Sequence, residues 1–76
     1  MDGETYRRLR MALGLTQKEL AEKAGVTANY IAMMESGRKE VSQLQIYKIM
    51  DLIMEAAKNN DPVFEMMKKI LLGKKN

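Results

Sequence analysis

Helix punctuation recurs along this chain at intervals too short for anything but a bundle of small helices. Gly14, Gly25, Gly37 and Gly73 each follow a segment with apolar residues at helical spacing. A helix end there needs a residue that can adopt the left-handed conformation without a Cβ penalty. The starts are marked independently by side-chain caps, by a reciprocal polar residue three positions on, and by an apolar staple across the cap. Thr16 with Glu19, flanked by Leu15 and Leu20, has all three parts, and so has Ser42 with Gln45, flanked by Val41 and Ile46. Thr27 is a cap with the staple Val26 and Ile31 but has Tyr30 where the reciprocal group would sit. Asp61 before Pro62 marks a fifth start, and Asp2 a first. With β-branched residues too scattered for period-two strands, the expected class is all-α, with five helices near 3–13, 17–24, 28–36, 43–58 and 62–72.

Composition narrows the chemistry. The 76 residues suit one domain, expected to span 1–73 with a short basic tail at 74–76, and no internal repeat or linker divides it. The chain has neither cysteine nor histidine, which removes zinc fingers, thiol nucleophiles, catalytic triads and imidazole acid/base chemistry. Its carboxylates lie in capping or exposed helical positions, so no enzyme, metal or cofactor is expected. No apolar run reaches the length of a membrane span, and Met1-Asp2-Gly3-Glu4 does not resemble an export signal, so a cytoplasmic location is expected. A net charge of +3 is compatible with an anionic partner without requiring one.

The second and third expected helices are short and joined by Gly25-Val26-Thr27, the layout of a helix-turn-helix, whose second helix offers its first turn to a DNA major groove. The run Leu13-Gly14-Leu15-Thr16-Gln17-Lys18-Glu19-Leu20-Ala21-Glu22-Lys23-Ala24-Gly25-Val26-Thr27, followed by Ile31, Met34, Glu35, Ser36, Gly37 and Arg38, resembles the phage-repressor and Cro (Xre-like) helix-turn-helix family. The resemblance covers about residues 5–57 and implies a five-helix lambda-repressor-like bundle that binds double-stranded DNA.

On the third helix, Ile31 and Met34 share one face above Val26, so that face turns inward. The opposite side carries Ala28, Asn29, Ala32 and Met33, the expected base readers: Asn29 can pair in bidentate fashion with adenine, and Ala28 and Met33 can meet thymine methyl groups. The bland alternative is that Asn29 merely decorates a helix start. Phosphate contacts are expected from the start of the second helix, where free N–H groups lie beside Thr16, Gln17 and Lys18, and from Thr27, Tyr30, Arg38 and Lys39 along the same border. In the resembled family the residue matching Gln17 holds a backbone phosphate. For Arg38 and Lys39 the alternative is a solvated loop.

Arg10 falls within the inward stripe of the first helix, beside Tyr6, Leu9 and Leu13, and a half-buried charge needs a partner. Glu35 is the expected one, and the matching positions in the family form such an ion pair. The fourth and fifth helices carry more apolar surface than one small bundle buries easily. A homodimer is expected through Met54, Val63, Phe64, Met67, Ile70 and Leu71, the alternative being that these residues complete a monomer core. The eight methionines are expected to serve packing, Met33 excepted.

These readings converge on a sequence-specific transcriptional regulator of bacterial or phage type, expected to repress by binding a pseudo-palindromic operator as a homodimer. No small-molecule substrate is evident. The resemblance also admits a restriction-modification controller protein or an antitoxin-type autorepressor. A rival of another class is a helical protein-interaction module without DNA binding, favoured by the nearly balanced charge of residues 1–40, seven Lys and Arg against six Asp and Glu.

Overall fold

The computed structural model describes residues 1–59 and 62–73. Over these residues the chain is all-helical, with α1 (Gly3–Ala12), α2 (Gln17–Ala24), α3 (Ala28–Ser36), α4 (Gln43–Lys58) and α5 (Val63–Leu72). α3 packs on α1 and α2, α5 on α1 and α4, and α2 also reaches α4. The five expected helices are thus all present, α1 stopping one residue early and α5 starting at Val63 with Pro62 as its cap residue. Asp61 and the tail at 74–76 lie outside the described residues.

Local side chains account for the starts. The Asp2 carboxylate accepts from Thr5 N at 2.8 Å and the Thr27 hydroxyl from Tyr30 N at 3.1 Å. At α2 the reciprocal box is complete: Thr16 Oγ1 accepts from Glu19 N at 3.0 Å while Glu19 Oε1 accepts from Thr16 N at 2.9 Å. Two free N–H groups of the helix end are thereby satisfied together.

The box expected at α4 is only half formed. Ser42 Oγ accepts from Gln45 N at 3.2 Å, but the Gln45 side chain turns inward and is 3% exposed. Its Oε1 is buried with no hydrogen-bond partner among the described residues. Packing rather than capping has claimed this amide, because the position lies on the face of α4 that carries Ile49 and Ile53 into the core. The ends differ in one place. Where the chain turns into the next helix, Gly25 (φ 72°) and Gly37 (φ 85°) are left-handed as expected, whereas Gly73 (φ −67°) stays right-handed and simply continues the last turn.

Tyr6, Leu9, Leu20, Ala21, Ile31, Met34, Ile49 and Ile53 form one buried cluster drawn from the first four helices, and Ile70 of α5 packs against it. Lys48 ties α4 to the end of α2 by donating from Nζ to the Ala24 carbonyl at 2.6 Å, placing a cation on the unpaired carbonyls of that terminus. Gly3 has a role that local pattern did not reveal. A Cβ there would lie 2.3 Å from the Met34 carbonyl oxygen and 2.6 Å from that of Glu35, so the first turn of α1 sits directly on the last turn of α3.

Gly3→Ala must therefore push two backbones apart, and it is expected to destabilise the fold by about 1–3 kcal/mol, read as a lowered urea midpoint. An unchanged midpoint would refute the close approach. The buried Tyr6 hydroxyl has no hydrogen-bond partner among the described residues, and its pKa is pushed up to about 12 by burial, reinforced by the charge of Glu35 and by Tyr30 and opposed by Arg10. Below pH 10 the phenol is protonated whether the chain is folded or not, so it contributes no pH dependence there. Between about 10 and 12 the unfolded chain loses this proton first, so stability falls as pH rises. Tyr6→Phe should alter stability at neutral pH by less than about 1 kcal/mol. It should also lose less stability than the wild type on alkaline titration across that window.

Candidate nucleic-acid interface

α2 and α3 meet across the turn at Gly25 and pack against one another. Thr27 fixes the start of α3, and Asn29 in its first turn is exposed. Ala32 and Met33 are half-buried on the same side; Ala28 is also half-buried, partly turned to the core cluster, as is Tyr30. The exposed part of this helix thus joins one amide to a methyl-rich shoulder, a surface able to pair with a base edge and to pack on an apolar group.

The connection after α3 is a built turn. The Met33 carbonyl accepts from Arg38 N at 2.9 Å, from Lys39 N at 3.1 Å and from the Ser36 hydroxyl at 3.2 Å. Left-handed Gly37 makes the reversal possible. Arg38 and Lys39 are both exposed, but their backbone is folded back onto the last turns of α3. At the other border, Thr16 and Lys18 are exposed at the start of α2 and Gln17 is half-buried between them.

Beneath this surface lies a polar hub. Arg10 Nε donates to Glu35 Oε2 at 2.6 Å and Nη2 to Glu35 Oε1 at 3.1 Å, a two-pronged pair between α1 and the end of α3. The side chains are 12% and 5% exposed, so the pair is largely desolvated. Arg10 Nη1 donates to the Leu15 carbonyl at 2.8 Å, and Gln17 Nε2 donates to Glu35 Oε1 at 3.1 Å. Reading the sequence found the two charges but missed Leu15 and Gln17 as their partners. For Leu15 donor number was the available signal, since a guanidinium has five N–H groups and one carboxylate cannot take them all; Gln17, itself a donor to the carboxylate, left no such signal.

Among the residues weighed for a dimer face, Met54 and Leu71 are exposed, and Ile70 is half-buried against the core of its own subunit. The side chains of Val63, Phe64 and Met67 lie outside the described residues. Leu44 and Tyr47, part of the surplus apolar surface expected of the fourth helix, are exposed as well. Among the described residues no cluster of metal-ligating side chains occurs, and no helix is long and apolar enough to cross a membrane.

Removing one partner of the desolvated pair leaves the other charge buried and uncompensated. Arg10→Ala is expected to lower stability by roughly 3–5 kcal/mol in chemical denaturation, whereas severing the exposed pair with Arg8→Ala should cost less than about 1 kcal/mol. Equal effects of the two changes would contradict this assignment.

Comparison with known proteins agrees with the geometry. A family model described as helix-turn-helix matches residues 7–53, from α1 through most of α4. An uncharacterized HTH-type transcriptional regulator from Sinorhizobium fredii is 32% identical over 47 residues, covering 62% of this chain and 61% of the relative. Another from Methanothermobacter thermautotrophicus is 48% identical over 40 residues, covering 53% and 58% respectively. The chain therefore matches about three fifths of the length of these relatives. No solved structure matches significantly. The match spans the capped α2, the glycine turn and the outward-facing α3 described above, and the chain belongs to the Xre-like helix-turn-helix family.

Proposed function

We infer that the protein is a sequence-specific DNA-binding transcriptional regulator that occupies a pseudo-palindromic operator as a homodimer and acts as a repressor. The observation that carries this reading is the outer surface of α3: exposed Asn29 in the first turn, with exposed Arg38 and Lys39 folded back through the Met33 carbonyl onto the last turns of the same helix. A groove reader needs that combination of a base-pairing amide on a rigid helix and phosphate-binding cations at its edge. The near-neutral charge of residues 1–40 is no obstacle, because several acidic groups there are engaged locally: Asp2 and Glu19 in caps, Glu35 with Arg10, and Glu4 with Arg7 and Arg8.

In this reading Ala28, Asn29, Ala32 and Met33 face base edges, while Thr16, Gln17, Lys18, Thr27, Tyr30, Arg38 and Lys39 face the sugar-phosphate backbone. The exposed apolar residues of α4 and α5, Met54 and Leu71 among them, supply the surface through which two copies associate. A two-fold dimer would set its two α3 helices about 34 Å apart, one turn of DNA. Occupancy of such a site blocks polymerase, which is the simplest route from binding to regulation.

Selection from a random duplex library, followed by titration at two salt concentrations, tests this directly. An enriched inverted repeat with half-sites about one helical turn apart is expected. Asn29→Ala should weaken binding by about 1–3 kcal/mol and relax preference at one base pair of each half-site. Arg38→Ala should weaken selected and random duplexes alike and reduce the salt slope by about 1 per subunit. Failure to enrich any repeat, with strong capture of a protein partner instead, would replace this reading with a protein-interaction module.

A further inference from the structure

We propose that Glu35 is a positioning residue for a phosphate contact made by Gln17, acting through the Gln17 side-chain amide. The inference rests on the DNA-binding reading above and concerns how one of its contacts is prepared. Gln17 is the first residue of α2, and its Nε2 donates to Glu35 Oε1 at 3.1 Å across the gap between α2 and the end of α3. A carboxylate can only accept, so the nitrogen of the amide, rather than its oxygen, must face Glu35. One amide N–H is committed inward, and the other remains to donate outward beside the exposed N-terminal turn of α2. A glutamine with no such partner would rotate among many arrangements, half of them presenting its oxygen to the anion it is meant to bind.

Arg10 makes this arrangement compatible with an approaching phosphate. An unpaired carboxylate below the site would repel it, but Glu35 already receives Arg10 Nε at 2.6 Å and Nη2 at 3.1 Å, so the buried unit carries no net charge. The Arg10 Nη1 bond to the Leu15 carbonyl fixes the residue just before the Thr16 cap. The whole start of α2 is therefore registered on the same carboxylate that orients Gln17. Glu35 lies at the far end of α3 from Asn29 and has 5% of its side chain exposed, so it is not itself a DNA contact.

The test uses the full chain on its selected operator, with a neutral methylphosphonate placed at each backbone position in turn. For the wild type, one substitution near the start of α2 should lower affinity about tenfold, as expected for loss of a hydrogen bond to a charged group. Gln17→Ala should abolish that position-specific penalty. Glu35→Asp keeps a charge for Arg10 but draws the carboxylate back by a methylene, and it should abolish the same penalty while leaving those at other phosphates in place. Glu35→Gln, if folded, should behave likewise, and combining either change with Gln17→Ala should weaken binding no further than Gln17→Ala alone. A purely structural role predicts the opposite: folded Glu35 variants that keep the wild-type penalty at that phosphate, with losses that multiply with Gln17→Ala, overturn the proposal while DNA binding stands. A wild type with no salt-dependent duplex affinity overturns the functional reading and this inference with it.

Discussion

The arrangement of this bundle depends on one desolvated ion pair. Arg10 and Glu35 come from α1 and the last turn of α3, and the remaining donors of the guanidinium and a glutamine amide extend the link to both sides of the α2 cap. Withdrawing two charges from water offsets much of what their attraction returns, so such a pair is a poor source of net stability. Its strength lies in what it forbids. Any slippage of α3 along α1 would strand a charge in the interior, and any reorientation of α2 would orphan the Leu15 carbonyl's donor. The close backbone approach at Gly3 enforces the same alignment sterically, from the opposite end of α1 against the same last turn of α3.

Much of the fold was legible because helix punctuation is local. Caps at Asp2, Thr16, Thr27 and Ser42 need only the next three residues, so sequence alone located the starts of the first four helices, and that of α5 to within one residue, Asp61 itself lying outside the described residues. What escaped notice depends on distant parts of the chain. Gln45 has the spacing of a capping-box partner, yet the packing of α4 takes its side chain inward and leaves a buried carbonyl oxygen without a partner among the described residues. Gly3 looks like an ordinary helix-start residue until the α3 carbonyls above it are seen. Nothing in the pattern singles out Lys48, yet it reaches back from α4 to the Ala24 carbonyl that α2 leaves unpaired. For the candidate interface the same division holds. The exposed amide and the basic turn could be named from pattern, whereas the bond that holds Gln17 could not: unlike the half-buried charge of Arg10, an uncharged amide at a helix start does not by itself demand a partner.

The apolar faces follow a related logic. The eight-residue core cluster is drawn from the first four helices, and α5 contributes at its margin through Ile70. Leu44, Tyr47, Met54, Leu71 and Leu72 remain exposed on α4 and α5. The helices thus differ in character: α1 to α3 are locked together by polar and steric constraints, while α4 and α5 carry most of the exposed large apolar side chains among the described residues.

The Met33 carbonyl has a consequence for how such a protein can diversify. Because the turn after α3 is closed by the backbone N–H groups of residues 38 and 39 together with Gly37 and Ser36, its shape does not depend on which side chains project from positions 38 and 39. Those two positions can exchange charge for neutrality without disturbing the helix that carries Asn29. Under the DNA-binding reading proposed above, general attraction to a polyanion through positions 38 and 39 and discrimination between sequences through Asn29 are then separately adjustable traits. On that reading, a lineage built on this scaffold could retune how tightly it holds DNA without relearning which DNA to hold.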